Sequence, residues 1–531
     1  MCEHCKRGLR AWMLGMLACT ALLLAGCASP LPSAERPVSH ALATTGDSVL
    51  QRYAQASGVP ADRSGFWPIA QGAFALDARL TLLRQATRSL DLQYYLLADD
   101  SVGRTVMREL RDAAERGVRV RLLLDDLYTS DIEEDLRALA TYPNIEVRVF
   151  NPFVLGRTST AGRVLNFIGD FRRLNHRMHN KLLVADNALA LIGGRNLADE
   201  YFLRGKDANF LDIDVLAAGA VVPQASTIFD RYWNSEQVFP LASLGASRRD
   251  DEDLRRRFSA RVHDAELTPY IEPVAEQDLM GQFALSSTMA NGRQRFVVAD
   301  ARVVADDPAK ASPGGGGSAA FERSMTAQYI DTLRTARSEI IIFSPYFVPG
   351  RKGLERLGEA RARGVEVRVV TNAMSSSDEP LVNEGYHRYR RDLLGMGVQL
   401  YEISSQRVSG DAHIGRALGR SKGRLHAKMA FVDRSIVMVG SMNVDLRSAY
   451  SNTEIGVGIR SPELAKLIMD TFRADGFSGA YQVRLNADGS GLEWVGRGDD
   501  GETVVLDEPE VGWLQRLKLW FMFLFVPEDL L

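Results

Sequence analysis

One spaced signature occurs twice in this 531-residue chain, and a chain built that way is constrained to fold as two like halves. The first copy runs His179-Asn180-Lys181, then Asp186, then Gly193-Gly194-Arg195-Asn196. The second runs His426-Ala427-Lys428, then Asp433, then Gly440-Ser441-Met442-Asn443, with the same internal spacing. The correspondence extends beyond the signatures. Gly117 in Arg116-Gly117-Val118-Arg119-Val120 answers to Gly364 in Arg363-Gly364-Val365-Glu366-Val367, and glycines and histidines alike are separated by 247 positions. Each half opens with a helix-like segment leading into an apolar strand, Ser89 to Tyr95 in one and Ser338 to Phe343 in the other, followed by an Arg-, Glu- and Ala-rich helix and the Gly-led strand. Strands alternating with helices predict an α/β sheet with covered faces.

Alternation along a strand gives the signature its chemistry. In His-x-Lys the two side chains point to the same face, so an imidazole and an ammonium look into one pocket. A phosphodiester suits that pairing: its non-bridging oxygens take Lys and Asn donors, its phosphorus needs a nucleophile, and its leaving oxygen needs a proton. Packed face to face, the halves would set His179, Lys181, Asn196, His426, Lys428 and Asn443 around one phosphate, one histidine attacking while the other protonates. The lysines supply the positive charge, so neither a metal nor another cofactor is expected. A carboxylate follows each signature in matching context, Asp212 in Leu211-Asp212-Ile213-Asp214-Val215 and Glu454 in Thr453-Glu454-Ile455-Gly456-Val457.

In these positions the chain resembles the phospholipase D superfamily. The run from Gly440 to Ser448 and on to Asn452-Thr453-Glu454 is similar to the bacterial cardiolipin synthases. Gly193 to Phe202, Ser344 to Gly350 and Leu425-His426-Ala427-Lys428 resemble the subgroup called cardiolipin synthase C, a similarity running from about Gly65 to the last residues. The resemblance implies two tandem phospholipase D-like α/β/α halves packed as a pseudo-twofold dimer around one active site, in a chain that is otherwise monomeric. It implies that His179 is the nucleophile and His426 the acid and base, and that Asp212 and Glu454 orient the histidines, each across the pseudo-twofold. It also implies that Asp186 and Asp433 stabilise turns. The activity implied is phosphatidyl transfer, making cardiolipin from phosphatidylglycerol and a donor, phosphatidylethanolamine or phosphatidylglycerol, through a phosphatidyl-histidine. Hydrolysis to phosphatidic acid and an exported nuclease are the other activities such a site supports. One departure stands out: Gly194 occupies a position where serine is usual, and the second copy keeps Ser441.

The remaining sequence bears on location and organisation. Net charge is −3, so no basic surface suggests nucleic acid as a partner; phospholipid substrates and a membrane surface are expected instead. Lys6, Arg7 and Arg10 precede an apolar run from Ala11 to Ala25, and Leu24-Ala25-Gly26-Cys27 resembles a lipoprotein processing site. Residues 1–26 are therefore expected to be a signal peptide and Cys27 the lipidation site, anchoring the protein to a bacterial membrane facing the periplasm, with a plain membrane anchor as the second reading; inner and outer membrane both stay open, Ala28 leaning to the outer. All four cysteines, Cys2, Cys5, Cys19 and Cys27, lie at or before the cut. The organisation expected is a tether over 27–65, the first half over 66–245, a connecting region with a Gly-rich linker over 246–320, the second half over 321–480 and a tail over 481–531. In that tail Trp513 to Phe525 is aromatic and apolar, fitting a helix at the membrane interface or one packed on the core.

Overall fold

A computed structural model gives the fold and describes Leu31 and residues 33–154, 156–263, 276–291, 296–315, 317–410, 421–472, 479–498 and 501–523. The expected signal peptide with Cys27 and Ala28, Gly316 of the linker and residues 524–531 lie outside the described residues. Among the described residues, eighteen strands form one continuous sheet and two more make a separate pair. The first half contributes β1 (Ser64–Ile69), β2 (Ser89–Tyr94), β3 (Arg119–Asp125), β4 (Ile145–Phe150), β5 (Leu182–Ala185), β6 (Leu189–Gly193), β7 (Ala208–Leu211), β8 (Asp214–Gly219) and β9 (Val238–Pro240). The second contributes β10 (Val297–Ala305), β11 (Glu339–Phe343), β12 (Glu366–Asn372), β13 (Gln399–Ile403), β14 (Lys422–Leu425), β15 (Met429–Val432), β16 (Ile436–Gly440), β17 (Ile455–Arg460), β18 (Ala480–Leu485), β19 (Leu492–Gly498) and β20 (Gly501–Val505).

Following hydrogen-bonded neighbours, the first half runs β9-β4-β3-β2-β5-β6-β8-β1. Strand β1 then pairs antiparallel with β10, and the second half runs β10-β17-β16-β15-β11-β12-β13-β18, with β19 and β20 appended. The second order is the first read backwards, strand for strand, which is what a pseudo-twofold axis between β1 and β10 produces. A shared apolar core closes the joint, with Ile192, Phe229 and Trp233 from one side and Phe343, Val457 and Ile468 from the other.

The aligned glycines explain how each half turns from helix to strand. Helix Ser101–Glu115 starts at Asp100, whose side chain accepts from the Gly103 amide, and buries Val102, Val106, Leu110 and Ala113 at helical spacing. It ends where Gly117, at φ 88°, turns left-handed so that the Gly117 amide donates to the Ala114 carbonyl (2.8 Å) and the Val118 amide to the Ala113 carbonyl (3.0 Å). Gly364, at φ 83°, repeats the turn after helix Gly350–Ala362, with bonds from Gly364 to Arg361 (2.9 Å) and Val365 to Ala360 (3.1 Å).

The segment expected to connect the halves belongs to both of them. Helix Asp251–His263 buries Leu254, Phe258 and Val262 in the first core, while β10 completes the second half's sheet by pairing with β17. Ala299 and Val303 face inward while Asp300 and Arg302 stay exposed, an alternation that only a distant partner strand turns into structure. The expected tether likewise carries helix Val49–Ala56, with Leu50 and Tyr53 in the first core, and the expected tail supplies β19, β20 and most of β18. Helix Trp513–Phe523 packs against helix Pro380–His387 but leaves Trp513, Leu514, Trp520 and Phe521 more than half exposed. Helix Thr160–Gly169 does the same with Leu165 (71%) and Ile168 (70%). Among the described residues no helix is long and apolar enough to cross a membrane.

A β-carbon added at Gly117 or Gly364 meets no neighbouring atom, so Gly117→Ala and Gly364→Ala differ from the parent mainly in backbone strain. Each should lose about 1–2 kcal/mol of stability, read as a lower urea midpoint with an unchanged slope. An unaltered midpoint would show that the left-handed turn is not what ends these helices.

Candidate active site

The signature histidines lie just before β5 and β15, at the joint between the halves. Strand β7 pairs in parallel with β14, and beyond the pair the amides of His426 and Ala427 both donate to the Leu211 carbonyl (2.8 and 2.9 Å). On the other side of the pseudo-twofold a single bridge between Met178 and Thr453 plays the same part, with the His179 amide donating to the Thr453 carbonyl (2.9 Å). Each histidine is thereby laid against the residue preceding the other half's carboxylate. His179 Nδ1 lies 3.0 Å from Glu454 Oε2, and His426 Nδ1 lies 2.6 Å from Asp212 Oδ2. With Nδ1 engaged, Nε2 of each ring is the nitrogen left for a substrate.

Lys181 and Lys428 stand beside their histidines, each donating to the backbone carbonyl of its own His at 2.6 and 2.7 Å. Asn196 donates to the Tyr201 hydroxyl (2.9 Å), which sits 3.5 Å from His426 Nε2. The side-chain oxygens of Asn196 and Asn443 are buried without a partner. His179, Asn196, His426 and Asn443 all line one cavity of about 800 Å³. Asp186 and Asp433 are elsewhere, at the first position of the three-residue turns of hairpins β5-β6 and β15-β16, with φ 52° and 48°. Their carboxylates accept from the amides of Thr87, Arg88 and Ser89, and of Arg337, Ser338 and Glu339.

Burial governs the electrostatics. It pushes His179 down to about 4, with Lys181 adding to the effect and Glu454 opposing only part of it; His426 is likewise pushed to about 4 by burial and Lys428 against the pull of Asp212. Burial alone would raise the two carboxyls. The facing histidines and lysines outweigh it, holding Asp212 at about 2 and Glu454 below the usual carboxylate range. Lys428 is brought to about 8 and Lys181 well below its ordinary value, again by burial. Burial thus keeps both rings neutral at neutral pH with their Nδ1 atoms oriented, and an anion placed between them would favour protonation.

The Gly194 departure has a steric cause. A β-carbon there would stand 2.2 Å from Asp212 Oδ1, so the glycine makes room for the shorter carboxylate. In the other half the longer Glu454 is held by hydroxyls, from Ser441 to Oε2 and from Ser448 to Oε1 (2.9 Å). Asp214, beside Asp212 in sequence, is a structural anion, accepting from Arg79 and Arg195 at 2.9 Å each in full burial.

Several site residues escaped the motif. Asp125, at the end of β3, accepts from the Met178 amide (2.8 Å) and pairs with Arg177, fixing the approach to His179. Asn372, at the end of β12, brackets Leu425 with bonds to its amide (2.8 Å) and carbonyl (2.9 Å), fixing the approach to His426. The two stand 247 positions apart, the same separation as the signatures, and at carboxyl ends of parallel strands where ligands gather; that spacing was the available signal. Aromatic rings flank the histidines: Tyr95 edge-on to His179 at 5.0 Å, Tyr201 edge-on to His426 at 4.9 Å, and Phe210 tilted at 4.8 Å.

Two α/β halves that each lend a carboxylate to the other's histidine define a phospholipase D-type enzyme. The family described as "Cardiolipin synthase, PLD-like domain" matches residues 80–233 and 329–475, and the chain belongs to it. It is 36% identical over 86% of its length to cardiolipin synthase C of Escherichia coli (strain K12), covering 93% of that protein. It is 24% identical over 74% of its length to a cardiolipin synthase of Clostridium perfringens (strain SM101 / Type A), covering 66% of that chain. The crystal structure of a phosphatidylserine synthase from Haemophilus influenzae Rd KW20 shares the fold, with a TM-score of 0.56 at 14% identity over 90% of this chain and 97% of that one.

Two outcomes test the geometry. Gly194→Ala should displace Asp212 and lower turnover by about a hundredfold with the far-ultraviolet circular dichroism retained, whereas a rate near the parent's would mean that Asp212 does not orient His426. A bound diester anion favours protonated imidazole, so binding raises a histidine pKa from about 4 and takes up a proton. Affinity for a short-chain phosphodiester should fall as pH rises through the weakly acidic range and again as Lys428, at about 8, loses its charge. Calorimetry in buffers of different ionisation heat reads the uptake; a pH-independent affinity with no proton exchange would defeat the assignment.

Proposed function

We propose that this chain is a phosphatidyltransferase that makes cardiolipin from phosphatidylglycerol and a phosphatidyl donor, phosphatidylethanolamine or a second phosphatidylglycerol. The observation that carries the reading is the pair of buried histidines facing one cavity, each with Nδ1 held by the opposite half's carboxylate. Neutral His179 attacks the donor phosphorus through Nε2, the bond from phosphorus to the head-group oxygen breaks, and His426 gives that oxygen its proton. The product is a phosphatidyl-histidine. His426 then takes the proton of a phosphatidylglycerol hydroxyl, whose oxygen attacks phosphorus and releases His179, since acid and base must be one residue. Lys181, Lys428, Asn196 and Asn443 are assigned to the phosphate oxygens, where their donors act on developing charge.

A membrane surface is the proposed working place. Helix Trp513–Phe523 docks on the helix that follows Asp378 and Glu379 of the cavity, and helix Thr160–Gly169 is tied by Arg163 to the carbonyls of Asp126 and Leu127, beside Tyr128 of the cavity. Their exposed Trp, Leu, Ile and Phe side chains suit the lipid interface. Export with lipid attachment at Cys27 fits the same placement, on the periplasmic side and by the Ala28 signal at the outer membrane.

Purified protein supplied with defined phospholipids should yield cardiolipin by mass; phosphatidic acid alone would make it a hydrolase, and neither product would end the reading. His426→Ala should leave labelled phosphatidyl on the protein and His179→Ala none. Label found only in the His179 variant would exchange the two roles.

A further inference from the structure

The duplication supplies its own control for the cores beneath the site. In the first half the space between β8 and helix Gly72–Gln85 is filled. Asp214 binds Arg79 and Arg195 there, Leu216 and Tyr94 pack beside them, and Phe202 is fully buried near Arg79. Counting from the signatures and their carboxylates, the second-half counterparts of Arg195, Phe202, Asp214 and Leu216 are Met442, Ala449, Gly456 and Gly458. An ion network, a ring and a leucine have become a methionine, an alanine and two glycines. The space they vacate is only partly closed: Met325 comes within 2.5 Å of a β-carbon built at Gly456, while one built at Gly458 meets nothing. One cavity of about 470 Å³ lies between helix Met325–Arg334 and the face of β16 and β17, with Gly456, Gly458, Met325 and Met438 in its wall. A second, of about 260 Å³, lies on the other side of that helix, with Ala449, Leu446 and Ile330 in its wall. Both open to solvent, the larger past the exposed Asp300, Arg302, Asp331 and Arg460, while the surface they offer inside is mostly apolar.

The smaller hollow adjoins the cavity that holds the histidines, and the larger lies behind it. The smaller shares Asn443 and Asp445 with the catalytic cavity, the larger has Lys428 in its wall, and the two share Tyr329 and Met442. An occupant must therefore be apolar, flexible enough for a methionine-lined wall, and attached to whatever the lysine and asparagine hold. We propose that these cavities receive the acyl chains of the phospholipid whose phosphate sits between the histidines, the second half gripping the hydrocarbon that the first half, with its filled core, cannot. The assignment rests on the lipid-substrate reading above.

Filling the space tests it. A β-carbon at Gly458 meets nothing within 4 Å, so Gly458→Leu restores the first half's Leu216, and Ala449→Phe restores its Phe202. Each should lower kcat/KM for dioleoyl-phosphatidylglycerol by about tenfold or more while leaving the dihexanoyl lipid within about twofold, at a thermal midpoint no lower than the parent's. Equal losses on both lipids, or no loss on either, would overturn the proposal. Labelling with a phosphatidylglycerol carrying a diazirine on an acyl chain decides the matter without turnover. Crosslinks should fall in 325–334 and 436–442 and be blocked by Gly458→Leu. Crosslinks confined to helix Trp513–Phe523, or absent, would place the chains elsewhere. A parent protein that turns over neither lipid would end the functional reading, and the crosslinks would still decide the cavities.

Discussion

The structure turns on two buried imidazole–carboxylate pairs that run between the halves, His179 with Glu454 and His426 with Asp212. All four side chains are nearly or fully withdrawn from solvent. Separating the halves would take from each carboxylate its facing imidazole and lysine, leaving Glu454 the hydroxyls of Ser441 and Ser448 and Asp212 the amide of Ile213, and removing one partner of a buried pair is strongly destabilising. The same bonds fix the tautomer of each ring. Association of the halves and assembly of the catalytic set are therefore one event, and the continuous sheet through β1 and β10 is the scaffold that holds the register between them.

Much of this was legible because it is local and repeated. Identical spacing in two places names His, Lys and Asn as a set, and Gly117 and Gly364 mark the helix ends because only the left-handed turn they adopt lets the next strand begin there. What escaped is what depends on distance. Strand β10 carries Asp300 and Arg302 among its apolar residues and becomes a strand only against β1 and β17, both distant in the chain. The paired role of Asp125 and Asn372 needs the histidine segments to arrive beside them, and the edge-on rings of Tyr95 and Tyr201 become site residues only once the halves have met. The Gly194 position reads in sequence as a lost hydroxyl, whereas in space it is room for Asp212.

The two pairs are related but not equal. Asp212 is close to its ring and receives the backbone amide of Ile213, while Glu454, longer by a methylene, is steadied by two serine hydroxyls. His426 has the Tyr201 hydroxyl within reach of Nε2, and His179 has Tyr95 in an edge-on contact, the face of that ring meeting the Lys181 ammonium at 5.3 Å. Two matching sites thus present different surroundings to the same cavity. Burial nonetheless brings both imidazoles to about 4, so the difference lies in the partners each ring meets and not in its resting charge.

The same divergence runs deeper than the site. The first half keeps a buried Asp214 between two arginines directly behind its carboxylate strand, and an ion network of that kind is rigid because every misplacement exposes an unpaired charge. The second half has glycines and methionines at the matching places, giving a compliant wall beside Lys428 and Asn443. One half thus braces its histidine's carboxylate from behind with paired charges, while the other braces Glu454 with the hydroxyls of Ser441 and Ser448 and leaves open space at its side, so the symmetry of the sheet does not extend to the cores beneath it.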